Sequence, residues 1–422
     1  MIIPLTYKLQ AGALQLVMYV IIVIGVLLSM FILYFHLNTK LIVQHESQIE
    51  AISLADESMH RALQLNFNYQ DSVVLKPSKH STVVLKKSHW GIYDVVTSNA
   101  RVRDKFFEKL ALTGGKTPLK PNLALYLQDN EQALQVVGNT KITGDAYVGK
   151  YGIRPGMISG TSYTNNRLVY GNTFNSVYLL KLELTKAQYL KQLQAMWPED
   201  LVEFTAFDLN QTKTFQHSFK EPTQYFYSAQ TITLFNKALY GNIIIQSDEQ
   251  IYVDGSSKLE HVILIAPKVV IGENFSGQLQ AFATEELIVE SKVNLSYPSA
   301  LLLCPSERMS TDELPHLKLK GNSIIKGTIG YLRSDDAILE KNTFSHVQIE
   351  EGTSVYGQVY SAYNLELKGK VYGHVITNQL ITAFKGSIYI NHLYNAQITA
   401  EPVSNDFGGL VFNEKQIVSW VE

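Results

Sequence analysis

Charged side chains are absent between Lys8 and Lys40, and aliphatic and aromatic residues dominate that run. Its heart is Leu16 to Phe35 (LVMYVIIVIGVLLSMFILYF). As a helix that stretch rises about 30 Å, the thickness of a bilayer's hydrocarbon core. Fourteen of its positions are Leu, Ile, Val or Phe, which on insertion scales gives a gain of roughly 4 to 8 kcal/mol. The pattern predicts a short tail over 1–10 and a transmembrane helix over 11–36, with Leu16, Ile21, Ile24, Leu28, Ile32 and Phe35 anchoring it. A secretory signal has a shorter apolar stretch and a small-residue cleavage site, whereas Phe35-His36-Leu37-Asn38-Thr39-Lys40 follows here. A buried core helix is seldom apolar all round for so long. Lys8 balances Lys40, so loop charge barely biases orientation. We read the protein as single-pass, with the N-terminus cytoplasmic and the large remainder outside, in a periplasm.

Helical periodicity continues past the uncharged run. Ile42, Ile49, Ile52, Ala55, Met59, Ala62 and Leu63 fall on one face, with Gln48, Glu50, Glu57, His60 and Arg61 around it, and no Pro or Gly interrupts Leu27 to Lys76. This predicts an amphipathic stalk over 37–68, continuous with the membrane segment, whose face of Ile42, Ile49, Ile52, Met59 and Leu63 packs on the body or on a partner helix.

From Ser72 the period changes to two. Val73 to Leu75, Thr82 to Leu85 and Gly91 to Val96 read as short strands, and Arg101 to Leu112 as a short helix ended by Gly114-Gly115, giving a small α+β region over 69–120. A β-rich region follows over 121–240, with a helical insertion at 185–196 that opens on the capping-box match Thr185-Lys186-Ala187-Gln188.

Internal repeats mark the C-terminal half. Leu317-Lys318-Leu319-Lys320-Gly321 recurs as Leu365-Glu366-Leu367-Lys368-Gly369, and Val355-Tyr356-Gly357-Gln358-Val359 recurs as Val371-Tyr372-Gly373-His374-Val375. The first offset is three times the second. Ile325-Lys326-Gly327-Thr328-Ile329 is a looser copy. Short alternating strands closed by glycine at near-constant spacing point to a β-solenoid, a right-handed parallel β-helix over 241–400, in which each coil shares its core with the next. The fold class is therefore mainly β behind one long helix. A β-sandwich with ordinary turn glycines and an up-and-down barrel are the alternatives. The polar, turn-rich stretch after Ala400 breaks the repeat and reads as a cap over 401–422.

These repeats, over 317–395, are similar to the coils of bactofilins, the polymer-forming bacterial β-helix proteins. The large N-terminal region departs from that family, and the cap favours a form that does not polymerise. The N-terminus resembles pilin and pseudopilin-like anchors: a short tail, a small-residue start at Gly12-Ala13, then a membrane helix running into an amphipathic stalk. The acidic residue usual five positions after cleavage is replaced by Val17.

Composition narrows function mainly by exclusion. Lys+Arg 36 against Asp+Glu 38 leaves a net charge of −2, which offers no footprint for nucleic acid. The single cysteine, Cys304, ends an apolar run, reads as a core residue and excludes an internal disulfide or a cysteine-cluster zinc site. There is no GxSxG, HExxH, P-loop or dinucleotide fingerprint, and the histidines form no ligand motif. His374 stands where the repeat has Gln358, which implies a surface position. No catalytic residue, cofactor or metal is expected. Arg333, Asp335 and Asp336 in one turn could form an acid–base group on a polysaccharide, and Tyr356 and Tyr372 could stack on sugars. The leading expectation is a non-enzymatic, membrane-anchored structural or assembly protein of the bacterial envelope. Its expected partners are lipid, envelope proteins and, by self-association, copies of itself. A membrane-anchored polysaccharide-binding or -cleaving protein and a pseudopilin-like subunit are the alternatives.

Overall fold

The computed structural model describes residues 11–65, 67–69, 71–116, 122–180, 182, 188–190, 204–206, 209, 213–305, 314–332, 343–400, 407–410 and 414–422. The uncharged run and the amphipathic stretch behind it form one continuous helix, α1 (Ala11–Gln64), and the rest of the described chain is mainly β. Of the segment 185–196, only 188–190 are described, and they are helical.

Four strands follow α1: β1 (Ser72–Ser78), β2 (Ser81–Trp90), β3 (Tyr93–Val102) and β4 (Lys105–Lys116), side by side in that order. Their two-residue joints make the neighbours antiparallel. Arg101 to Leu112 is thus not a helix but the end of β3 and most of β4. Arg103 takes a φ of 52° at the turn, and its N–H donates to the His80 carbonyl at 2.9 Å. So short a segment cannot stand as a helix on its propensity alone, and cross-strand pairing prevails.

The chain forms two compact units, and the division runs across these four strands. The first unit comprises Met1–Arg61, Ser72–Leu85 and Ser98–Lys109. Its buried residues are Ser47, Ala51, Ala55, Ser58 and Met59 from α1 and alternate positions of the strands, among them Val83, Leu85, Ala100 and Val102. An ion pair between Asp56 and Lys109 joins helix to sheet.

The second unit comprises Ala62–Asp71, Lys86–Thr97 and Leu110–Glu422. Most of it is a large sheet of parallel ladders whose path of pairings closes on itself. Between 214 and 399 most of its strands pair in parallel with a strand that follows later in the chain. Leu295 faces Ile325, Ile325 faces Val355, Val355 faces Val371, Val371 faces Ile398, and Ile398 faces Ile142. This column of aliphatic side chains is fully buried and belongs to one continuous core. The recurrence of Val355–Val359 at Val371–Val375 is this register read along the chain: Tyr356 pairs with Tyr372, Gly357 with Gly373 and Gln358 with His374. The longer recurrence spans two ladder steps, since Leu317 and Leu365 both pair with Val347.

Gly327, Gly357 and Gly373 form a second column at a bend, with φ of 151°, 147° and 136°. A β-carbon at Gly357 would lie 1.9 Å from the Gly327 carbonyl oxygen, so only glycine lets successive turns approach this closely.

Chain order and stacking order differ. Leu123–Leu127 pairs with Lys370–Phe384, and Lys141–Thr143 pairs with Gln397–Thr399. The segment that enters the ladder first is therefore stacked on the one that leaves it last. At the other extreme, Thr214–His217 pairs with Ala238–Ser247. The ladders extend beyond 241–400, because 123–148 and 214–240 take part in them.

After the ladder the chain returns to the antiparallel sheet. The return strand, Glu414–Val421, pairs antiparallel with β4, Trp420 facing Ala111 and Val421 facing Leu110. It adds a further strand to the sheet beyond β4. Trp90, Ile92, Tyr93, Leu110, Leu112 and Val418 pack on an outward ladder face that carries Ile263, Phe282, Leu302 and Ile376. That face is covered, so these strands bury both sides.

Candidate functional site: the surface of the N-terminal helix

The most extensive exposed apolar surface among the described residues is that of α1. Its first half carries an apolar window of mean hydropathy 3.0 in which no side chain is buried. Leu16, Ile21, Ile24, Leu28, Ile32 and Phe35 are all exposed. Its two aliphatic hydroxyls are satisfied within the helix: Ser29 Oγ donates to the Gly25 carbonyl at 2.8 Å, and Thr39 Oγ1 to the Phe35 carbonyl at 2.9 Å. This segment is long and apolar enough to cross a membrane.

The second half has two dissimilar sides. Ser47, Ala51, Ala55, Ser58 and Met59, spaced four, four, three and one apart, lie on the buried side. Ser47 Oγ donates to the Val43 carbonyl at 2.8 Å and so adds no unpaired donor there. Ile49 and Ile52 are 54% and 37% exposed, Leu41 and Ile42 are exposed, and Leu63 is half-buried. Of the predicted stalk face only Met59 is fully buried. Small side chains let a helix backbone come close to a sheet, and that spacing of Ser and Ala was the available signal; reading hydrophobicity alone passes over it.

Tyr356 and Tyr372 are brought together, their rings stacked at 4.7 Å and 14°. One face of each ring is therefore taken by the other. Arg333, Asp335 and Asp336 lie outside the described residues. Cys304 is buried in the core that joins the ladder to the sheet. Among the described residues no three His, Cys, Asp or Glu are grouped to hold a metal ion.

His374 is buried rather than on the surface, because its column is covered. Gln280, Ala300, Thr328, Gln358 and His374 succeed one another in register. Gln280 Oε1 accepts from the Ile92 N–H at 2.9 Å, while its Nε2 donates to the Trp90 carbonyl at 3.2 Å. Gln358 Oε1 accepts from the Leu410 N–H at 2.6 Å. Burial pushes the His374 imidazole down to about 4, and that of His346 likewise.

The return strand is also held by charge. Lys415 Nζ lies 2.9 Å from the buried Asp94 carboxylate, which accepts from the Tyr69 hydroxyl at 3.2 Å and meets His89 Nδ1 at 3.1 Å. His89 is sandwiched between the rings of Tyr69 and Tyr189, at 3.5 and 3.7 Å.

No protein-family model and no curated protein matches the chain. Among solved structures it is similar to the competence-associated pilin ComZ from Thermus thermophilus, with 10% identity and a TM-score of 0.26, over 89% of this chain and 98% of that one.

Proposed function

We propose that this protein is a non-enzymatic, membrane-anchored assembly subunit of the bacterial cell envelope, pilin-like or pseudopilin-like at its N-terminus and presenting a β-solenoid. In this reading the N-terminal tail is cytoplasmic and the body periplasmic. The carrying observation is the outer side of α1 beyond the membrane run. A plain tether needs apolar surface only within the bilayer. Yet Ile49 and Ile52 are exposed, roughly 20 to 25 Å beyond Phe35 along the helix axis, Ile49 facing away from the stripe that α1 buries and Ile52 at its edge. Exposed isoleucines at that spacing suit packing against the same helix of a neighbouring subunit.

The solenoid reading is supported by parallel partners one turn apart, in-register repeats and the glycine column at the bend. The polar, turn-rich stretch after Ala400 that interrupts the repeat supports a form that does not polymerise through its ladder ends, unlike the bactofilins that the repeats resemble. The partners are then the bilayer and other envelope subunits, copies of this chain among them.

The test is the full chain in its native membrane, wild type beside Ile49→Lys/Ile52→Lys. After extraction in a mild detergent, the wild type should run in assemblies larger than one chain. The variant should run as a single chain, still membrane-bound and with unchanged near-UV circular dichroism. A monomeric wild type, or a variant that assembles equally well, would overturn the reading.

A further inference from the structure

Beside the return strand the ladder opens into a cleft of about 900 Å³. Its floor is one bend repeated on three turns of chain, at Gln216–His217, Tyr240–Gly241 and Glu260–His261, and Trp420 to Glu422 form a wall. Gln216 pairs with Tyr240, and Tyr240 with Glu260, so these side chains stand in one outward column about 4.8 Å apart. Trp420 is 46% exposed. Phe219 stiffens the wall: its N–H donates to the Glu422 carbonyl at 2.8 Å, and its ring meets Trp90 and His261 edge-on at 5.1 and 5.8 Å.

The two histidines are held in place. His217 Nε2 lies 2.7 Å from the Pro222 carbonyl, and its Nδ1 lies 3.3 Å from the Glu221 carboxylate. His261 Nδ1 lies 3.2 Å from Gln278 Nε2, and burial lowers its pKa, against the opposing pull of Glu260. His261 has a φ of 56° at the bend where other turns use Gly241, Gly327, Gly357 and Gly373.

The chemistry selects a ligand class. Carboxylate, amide, phenol and imidazole groups at one ladder step's spacing match the hydroxyls of a sugar, and an indole and a phenol ring match its C–H faces. The cleft sets Lys220 against Glu221, Glu260 and Glu422, so a phosphate backbone would find no net positive charge. We propose that this cleft binds a neutral oligosaccharide, with Trp420 and Tyr240 stacking on sugar faces and Gln216 and Glu260 holding hydroxyls. The proposal does not depend on the assembly reading, because every residue it uses lies in the second unit.

Isothermal titration calorimetry tests it on the full chain, in a polyoxyethylene detergent that carries no sugar headgroup. The probes are maltohexaose, cellohexaose and the N-acetylglucosamine hexamer. At least one should bind saturably below about 10 mM, and both Trp420→Ala and Glu260→Gln should weaken it about tenfold or more. Glu260→Gln is an exposed, isosteric change that leaves the fold intact. Absence of saturable binding with all three probes, or binding that survives both substitutions, would overturn the proposal. So would a neutral hexasaccharide that a DNA dodecamer displaces.

Discussion

Along the second half of α1 the small side chains Ser47, Ala51, Ala55 and Ser58 are buried, while Ile49 and Ile52 face outward; in the ladder, Leu295, Ile325, Val355 and Val371 are buried and Lys326 faces outward. That column belongs to one continuous apolar core, so along it hydrophobicity and burial run together. α1 has a sheet on one side, and its other side is left for lipid and, in the proposed assembly, for neighbouring helices. On that helix apolar character reports a surface meant for another molecule, and smallness reports the surface kept for its own sheet.

Four experiments would break or sharpen this contrast. The largest effect is expected in the first half of α1. Val23→Lys/Leu27→Lys adds an insertion cost of about 5 to 7 kcal/mol, so the protein should leave the membrane fraction, while circular dichroism of the body stays unchanged. In the ladder, Leu301→Ala removes a fully buried side chain and should cost about 2 to 5 kcal/mol, read from denaturant unfolding. If the cost were under about 0.5 kcal/mol, Leu301 would be behaving as an exposed surface residue.

Acid supplies the third. A histidine held near 4 in the folded chain and near 6.5 in the unfolded chain stays neutral when folded but takes up a proton when unfolded. Its contribution to stability is whole above pH 6.5 and is lost as pH falls towards 4. For His374 the loss is about 2 kcal/mol between pH 6.5 and 5. His374→Gln puts into that column the residue that position 358 already carries. It should flatten this part of the pH–stability profile, leaving the share due to His346.

The smallest effect concerns the buried stripe of α1. Ala55→Leu should cost about 1 to 3 kcal/mol by overpacking, without changing membrane retention. A stabilising result would show that the helix and sheet leave a void there.

What could be read from the residues followed from locality. The membrane run needs only its own composition, and the helix continues because nothing breaks it. The two recurrences were legible because side chains stacked in register face the same neighbours. Three features were not legible, each because it depends on a distant segment. Arg101 to Leu112 has helix-forming composition, and only pairing with β3 and the return strand makes it a strand. His374 looks like a surface position until Phe407 to Leu410 cover its column, the Phe407 ring 6.4 Å from the imidazole. The cleft wall at Trp420 lies far along the chain from the floor at Gln216, Tyr240 and Glu260, and no motif spans that separation.

The inverted stacking of the ladder has a consequence for synthesis. Leu123–Leu127 and Lys141–Thr143 leave the ribosome long before the strands they pair with, Lys370–Phe384 and Gln397–Thr399. Until those arrive, the early segment has no finished turn to lie on. Nascent chains that stop short of Lys370 should therefore expose it to protease, even where Ala238 to Leu303 has already wound. Completion of the ladder therefore waits until Lys370 to Thr399 have been made.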